Sequence, residues 1–315
     1  MTNRNAFGPK TTADEVLEGI DMTGKTVLIT GGTSGLGAET ARAMAAVGAD
    51  VIITARAVAK AADTVSHVNA TTNKQIDVEE LELGSMASIR EFADRINGSG
   101  RKIDVLINNA GIMSCPEGKT EDGFETQFGT NHLGHFLMTC LIAPSIKDGG
   151  RVVSLSSSGH QISDILYDDL DFTKSGYDRW ISYGQSKTAN ALFAVELNKR
   201  LADRNIEAFA VHPGGIQTNL ARHVNILQML WFIPRIIMGG ISMKSVEAGA
   251  STQCYAATAP EITGQGGKFL ANCRIAPVSP EKSRKDSVVW PYAQDAASAK
   301  RLWAISEEMV GHRFA

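Results

Sequence analysis

A chain of 315 residues, 43% hydrophobic and 21% charged, is long enough for one large α/β domain and can bury a sizeable core. With 31 basic against 34 acidic residues the net charge is −3, and no basic block appears, which excludes nucleic acid as the main partner. Cys115, Cys140, Cys254 and Cys273 are scattered without C-x-x-C spacing. They read as buried thiols in a reducing compartment, with neither a metal site nor a disulfide framework.

Residues 1–22 lack the apolar run of a signal peptide and read as an N-terminal extension. Within them Thr12-Ala13-Asp14-Glu15 fits a capping box that starts a short helix. Thr26 to Thr30 is an apolar, β-branched run, as expected for a strand buried on both faces. A glycine loop follows, then an alanine-rich helix from Ala38 to Val47 and a second strand from Val51 to Thr54. Ile103 to Ile107, Arg151 to Leu155 and Ile206 to Val211 repeat the pattern, each after a helical segment, and Lys268-Phe269-Leu270 supplies a last strand. Strands alternating with helices predict an α/β fold: a single doubly wound Rossmann domain over 23–315, its sheet mostly parallel and seven-stranded, with helices on both faces. Ligands then bind at the carboxyl ends of the strands.

The longest apolar stretch, Ile226 to Met238, is too short for a membrane span and contains Gln228, Pro234 and Arg235. The chain is therefore expected to have no transmembrane segment and to be cytoplasmic. The stretch lies in a segment, 219–245, that reads as a lid over an apolar substrate, as a packed helix or subunit interface, or as a peripheral membrane contact.

The glycine loop, Thr30-Gly31-Gly32-Thr33-Ser34-Gly35-Leu36-Gly37, sits between strand and helix with the spacing G-x-x-x-G-x-G. Gly31, Gly35 and Gly37 allow a tight turn and close backbone approach to a pyrophosphate. Arg56 stands just past the second strand, where a dinucleotide fold reads the adenosine ribose. An acid there binds a 2′-hydroxyl and an arginine suits a 2′-phosphate, so NADP is expected before NAD. Tyr183-Gly184-Gln185-Ser186-Lys187 places a phenol and an ammonium at i and i+4, on one helix face. A nearby cation favours the phenolate, which makes Tyr183 a candidate acid/base. Taken singly, Asn108-Asn109-Ala110-Gly111 is a turn signal, Ser154, Ser156, Ser157 and Ser158 are serines at a strand end, and Asn131 is a polar residue in an apolar helix.

Taken together and in order, these motifs and His212-Pro213-Gly214-Gly215-Ile216-Gln217-Thr218 resemble the short-chain dehydrogenase/reductase family of the classical type, over roughly residues 25 to 220. Glu121-Asp122-Gly123-Phe124-Glu125, Asn131-His132-Leu133-Gly134-His135 and Tyr183-Gly184-Gln185-Ser186-Lys187-Thr188-Ala189-Asn190 resemble its retinol dehydrogenase-like branch. The resemblance implies that Tyr183 is the acid/base and that Lys187 lowers its pKa and binds the nicotinamide ribose. Ser157 orients the carbonyl oxygen, and Asn131 holds a water that links Lys187 to solvent. For the cofactor it implies Thr33, Ser34 and Leu36 at phosphate or ribose, Arg56 at the 2′-phosphate, and Glu82 and Leu83 near adenine. Asn108 and Ala110 then flank the ribose and Ile216 and Thr218 touch the carboxamide, with Gly111, Pro213 and Gly214 also in the cofactor site. Ser157 and Tyr183 are 26 positions apart, more than the family's usual dozen or so, which leaves Ser156 and Ser158 as alternatives. The function implied is hydride transfer between NADP(H) and a hydrophobic ketone, aldehyde or alcohol, in a homo-oligomer. The alternative is a non-catalytic NADP-sensing binding protein.

Overall fold

The computed structural model describes residues 6–216, 243–280, 283 and 285–314. Eight strands form one sheet: β1 (Thr26–Ile29), β2 (Asp50–Ala55), β3 (Asp77–Glu80), β4 (Ile103–Asn108), β5 (Ile146–Leu155), β6 (Glu207–His212), β9 (Phe269–Ala271) and β10 (Arg274–Ile275). Their order is β10-β9-β6-β5-β4-β1-β2-β3, parallel throughout except for β10 against β9. The short pair β7 (Gly215–Ile216) and β8 (Met243–Lys244) lies apart from it.

Strand periodicity divides the core into two layers. Leu28, Ile52, Leu106 and Val152 point to one face, where they meet α4 (Met86–Gly98), α6 (Gly134–Ile142), α7 (Arg179–Arg200) and α9 (Ala296–Val310). Val27, Ile29, Ile53, Val105 and Val153 point to the other, against α1 (Ala13–Leu17), α2 (Gly35–Ala46), α3 (Ala62–Thr72) and α8 (Val246–Thr258). Both sheet faces are therefore covered, which is why the central strands are apolar without alternation. One further short turn of helix, α5 (Thr126–Phe128), leads into α6.

Two strands depart from expectation. The sheet has eight strands where seven are predicted, because Asn272 and Cys273 both take positive φ (53° and 56°) and turn Arg274–Ile275 back onto β9. Paired positive φ values are those of a tight hairpin turn, usually announced by Asn-Gly, and here the second residue is cysteine. The edge strand β3 (DVEE) is half-polar and has no apolar run to announce it. The capping box does form: Thr12 N–H donates to Glu15 at 2.7 Å, and Glu15 N–H to Thr12 Oγ1 at 3.3 Å. The segment before β1 is built into the core, with Phe7, Val16 and Leu17 buried, Phe7 edge-on to Tyr255, and Arg42 paired with Asp14 at 2.7 Å.

Trp303 is the centre of an aromatic cluster in the first layer. It stacks on Phe193 (5.8 Å, 6°), meets Phe136 edge-on at 4.8 Å, and carries the Arg200 guanidinium 4.5 Å from its ring centroid. Removing it leaves a cavity that rigid neighbours cannot close, so Trp303→Ala is expected to cost about 3–5 kcal/mol of stability. Urea unfolding checks this, and a loss below about 1 kcal/mol would show that the cluster repacks.

Candidate active site

The glycine loop joins β1 to α2 at the carboxyl end of the sheet. Gly31 has φ +69°, and a Cβ on it would lie 2.9 Å from Ala110. A Cβ on Gly37 would run into the Gly31 carbonyl and the Asn109 amide. The loop is thus shaped by glycine's lack of a side chain and leaves the α2 N-terminus open to an anion. Ser34 is the N-cap and is exposed; among the described residues its hydroxyl makes no capping bond. Thr33 and Leu36 are half-buried beside it. These features fit the pyrophosphate of a dinucleotide.

Asn109, which the motif reading did not single out, holds this loop. Its side chain donates to Thr30 O at 2.7 Å and to Gly31 O at 3.3 Å. Asn108, by contrast, is buried and donates to Thr139 Oγ1, while Ala110 and Gly111 line the surface beside it. Thr30 Oγ1 accepts from the Asn109 and Ala110 N–H groups, so its own proton goes to His135 Nε2 at 2.9 Å. His135 then carries its proton on Nδ1, which donates to the carbonyl of Asn131. One buried histidine thereby joins the cofactor loop to a residue of the expected catalytic set.

Asn131 lies in a wide π turn, Gly129–Leu133, that interrupts the run from α5 to α6. Such turns carry an extra residue and re-aim side chains. Its amide accepts from Ile112 N–H at 2.9 Å and donates to Ile112 O and Ser186 Oγ, both at 3.0 Å.

Helix α7 starts on Asp178, whose carboxylate caps Trp180 and Ile181 N–H. Four residues apart on its buried face stand Tyr183 and Lys187, 4% exposed each. Lys187 Nζ donates to Leu155 O at 3.0 Å and lies 5.7 Å from the Tyr183 ring centroid. A Cβ on Gly111 would sit 3.3 Å from Asn131 Oδ1 and 3.5 Å from Lys187 Nζ, so that glycine keeps the lysine approachable. Burial pushes the Lys187 ammonium down to about 8. Burial also pushes the Tyr183 phenol up to about 12, opposed by its hydrogen bond with Ser157. The sequence spacing alone implies a lowered phenol pKa; in the structure desolvation outweighs that effect.

Of the candidate serines, Ser157 faces Tyr183. Ser156 turns inward and donates to Lys187 O at 2.6 Å. The long insertion between Ser157 and Tyr183 packs against α7, with Ile165 and Phe172 buried, and its Tyr167 donates to Ser298 O of α9 and lies with its ring 3.9 Å from the Arg301 guanidinium. Arg56 follows β2 with its side chain 66% exposed, and its Nε is 3.9 Å from Glu82 Oε2. Leu83 is buried in the core beneath. Pro213, Gly214 and Ile216 follow β6 and are half-buried. Gly249 of α8 makes room there for both Ile216 and Leu36, whose side chains lie 2.6 and 2.7 Å from where its Cβ would be. Thr218 and most of the 219–245 segment, with its apolar stretch, lie outside the described residues. Among the described residues no helix is long and apolar enough to cross a membrane.

A glycine loop that fits a pyrophosphate, beside a half-buried serine and a buried tyrosine and lysine, is the equipment of a dinucleotide-dependent oxidoreductase. The short chain dehydrogenase family model matches residues 25–227. Retinol dehydrogenase 12 of Mus musculus is 41% identical over 297 residues, covering 93% of this chain and 88% of that protein. Retinol dehydrogenase 14 of Homo sapiens is 39% identical over 306 residues, covering 92% and 87%. A crystal structure of an uncharacterized protein from Mycobacterium paratuberculosis aligns with TM-score 0.72 at 37% identity, covering 94% of this chain and 96% of that one. A blue fluorescent protein from a metagenomic library, solved in complex with NADPH, aligns with TM-score 0.64 at 25% identity, covering 80% and 97%. The chain belongs to the short-chain dehydrogenase family, on its retinol dehydrogenase-like branch.

Burial holds the histidines of this region neutral, pushing His132 down to about 3 and His135 and His160 down to about 4. In the unfolded chain they titrate near 6.5, so between pH 6.5 and about 4 the unfolded state binds more protons than the folded one. Stability is therefore expected to fall as pH drops through that window. A urea midpoint that stays level from pH 6.5 to pH 5 would show that these rings are not buried neutral.

Proposed function

We propose that this protein transfers a hydride between NADP(H) and a hydrophobic ketone or aldehyde and the corresponding alcohol, with Tyr183 as the acid/base. The observation that carries this reading is the convergence of the Tyr183 phenol, the Ser157 hydroxyl and the buried Lys187 ammonium beside the glycine loop. When bound, the nicotinamide supplies or accepts the hydride. Gly31, Gly35 and Gly37, with Thr33, Ser34 and Leu36, hold the pyrophosphate end, and Ala110, Gly111, Gly214 and Ile216 line the path toward the nicotinamide.

In reduction, Tyr183 gives its proton to the carbonyl oxygen as that oxygen takes on negative charge, and Ser157 donates a second hydrogen bond to it. Donors held in place in this way contribute about 3–4 kcal/mol each to the transition state. A phenol pushed up to about 12 by burial stays protonated at neutral pH, as a proton donor must. In alcohol oxidation the same phenol takes the proton, and the nearby Lys187 ammonium favours the phenolate that must receive it. Asn131, held on both sides by Ile112, maintains the floor of the site next to Lys187.

Arg56 supports NADP over NAD, since Ala55 before it brings no carboxylate and its guanidinium stands free enough to meet a 2′-phosphate. The contact with Glu82 is long and exposed, and so a weak competitor for the arginine. NADPH in the metagenomic blue fluorescent protein supports the same choice. The apolar residues Ile226 to Met238 and the retinol dehydrogenase relatives support a hydrophobic substrate. Four buried, unpaired cysteines suit a reducing setting, and the cytoplasm is the proposed one.

NADPH oxidation against a panel of apolar ketones and aldehydes tests the reaction. Tyr183→Phe should bind NADPH nearly as tightly as the parent and lose at least about 100-fold in kcat. Near-normal kcat in the folded variant would remove Tyr183 from the mechanism. Arg56→Ala should raise KM for NADPH by about 10- to 100-fold and leave KM for NADH within a factor of about two, since only the 2′-phosphate contact is lost. Equal effects on both cofactors would assign the arginine no role in choosing between them.

A further inference from the structure

One peptide unit, the bond from Ser157 to Ser158, is gripped from both sides by buried histidines. On one side Ser158 N–H donates to His212 Nδ1 at 3.0 Å. On the other the Ser157 carbonyl accepts from His160 Nδ1 at 2.6 Å, and from His160 N–H at 3.1 Å. Trp290 N–H donates to His160 Nε2 at 3.2 Å, which puts the His160 proton on Nδ1, where it can donate. His212 is the reverse: its Nδ1 must accept, so its proton is on Nε2, which faces Asp286 Oδ2 at 3.8 Å. The His160 tautomer is set by Trp290 behind it, and the His212 tautomer by the Ser158 N–H that it accepts.

Sheet geometry explains why a side chain is needed there. Ser156 N–H still donates to the Val211 carbonyl, in the ladder between β5 and β6. The next donor facing β6 is Ser158 N–H. There β6 has ended at His212 and the chain turns off through Pro213 and Gly214, the latter at φ +104°. The His212 ring takes the place of the missing strand carbonyl. The segment from Lys285 to Tyr292 backs the whole arrangement. Gln161 Nε2 donates to the Lys285 and Val288 carbonyls, and the Tyr292 hydroxyl donates to the His160 carbonyl. Asp286 is itself buried, and its charge opposes the lowering of the Lys244 pKa by burial.

The geometry points to His212 and His160 as positioning residues: they fix the peptide that follows Ser157, and through it the direction of the Ser157 hydroxyl toward Tyr183, with Trp290 of the 285–292 segment setting the His160 tautomer and Asp286 standing behind His212. This rests on the acid/base reading of Tyr183 and Ser157. It gives the C-terminal segment an indirect part in catalysis, exerted through the peptide it backs. An error of about 1 Å in such a hydroxyl costs up to about 100-fold in rate.

Asparagine and glutamine separate the two ring nitrogens. Asn at position 212 can place an acceptor where Nδ1 stands, and Gln can occupy only the Nε2 position. In the full-length protein, His212→Gln is expected to lower kcat by about 10- to 100-fold, with NADPH affinity within about twofold and KM little changed. His212→Asn should restore kcat to within about threefold of the parent. His160→Asn should likewise outperform His160→Gln, and either pair decides the matter if one glutamine variant does not accumulate as folded protein. The histidines act through Ser157, so in a Ser157→Ala background His212→Gln should cost less than about threefold.

Equal kcat for the Asn and Gln variants, or a full His212→Gln penalty without Ser157, overturns the positioning role and leaves the acid/base reading standing. Turnover that survives Tyr183→Phe overturns the acid/base reading itself, and the positioning role with it.

Discussion

The ammonium of Lys187 is a cation taken out of water, and the site is arranged around that fact. Burial alone pulls its pKa down to about 8, so the chain must supply the solvation that water no longer gives. The Leu155 carbonyl does so directly, because β5 ends there and leaves an acceptor unclaimed by the sheet. Ser156, the next residue, holds the same turn of α7 by donating to the Lys187 carbonyl. Strand β5 and helix α7 are thus fastened at the point where Ser157 and Tyr183 must meet. Gly111 keeps the remaining side of the ammonium clear. A charge that is costly to bury becomes useful because every group near it has a defined position.

The same economy of contacts joins the glycine loop to the residues proposed to react. Thr30 closes β1, accepts the two N–H groups of the Asn109-Ala110 turn, and passes its proton to His135. His135 then donates to Asn131, and Asn131 holds Ile112 just past Gly111. This chain of bonds runs through a π turn, where the backbone is wound too widely for an ordinary helix and a side chain can be aimed sideways. Buried polar networks are stabilising only when every member is satisfied. That requirement accounts for neutral histidines in the core, since a protonated ring would have one donor too many.

Much of the architecture was legible in the sequence. The apolar runs at Thr26, Val51, Ile103, Arg151 and Ile206 mark buried parallel strands; four of them are strands within a residue or two, and the run at Arg151 is the end of a strand that starts five residues earlier, at Ile146. The glycine loop and the i, i+4 spacing of Tyr183 and Lys187 were legible for the same reason: backbone geometry dictates them locally. Strand β3 was not, because an edge strand with a polar face needs no apolar run. Strand β10 was not, because its turn uses Asn-Cys where the usual signal has glycine. Asn109 was hidden behind Asn108, and nothing in their order says which one faces the loop. His160 and His212 carried no signal in spacing at all, lying 52 residues apart and meeting only across one peptide bond.

The sequence by itself determined the fold class, the glycine loop and the pairing of phenol with ammonium, since strand burial, glycine's freedom and helical period act over a few neighbouring residues. Only the tertiary structure decided which serine faces Tyr183 and that burial outweighs the neighbouring cation in setting its pKa. It also decided what the C-terminal segment leans against. Those outcomes depend on desolvation and on hydrogen bonds between residues far apart in the chain, and such terms exist only once the layers have packed.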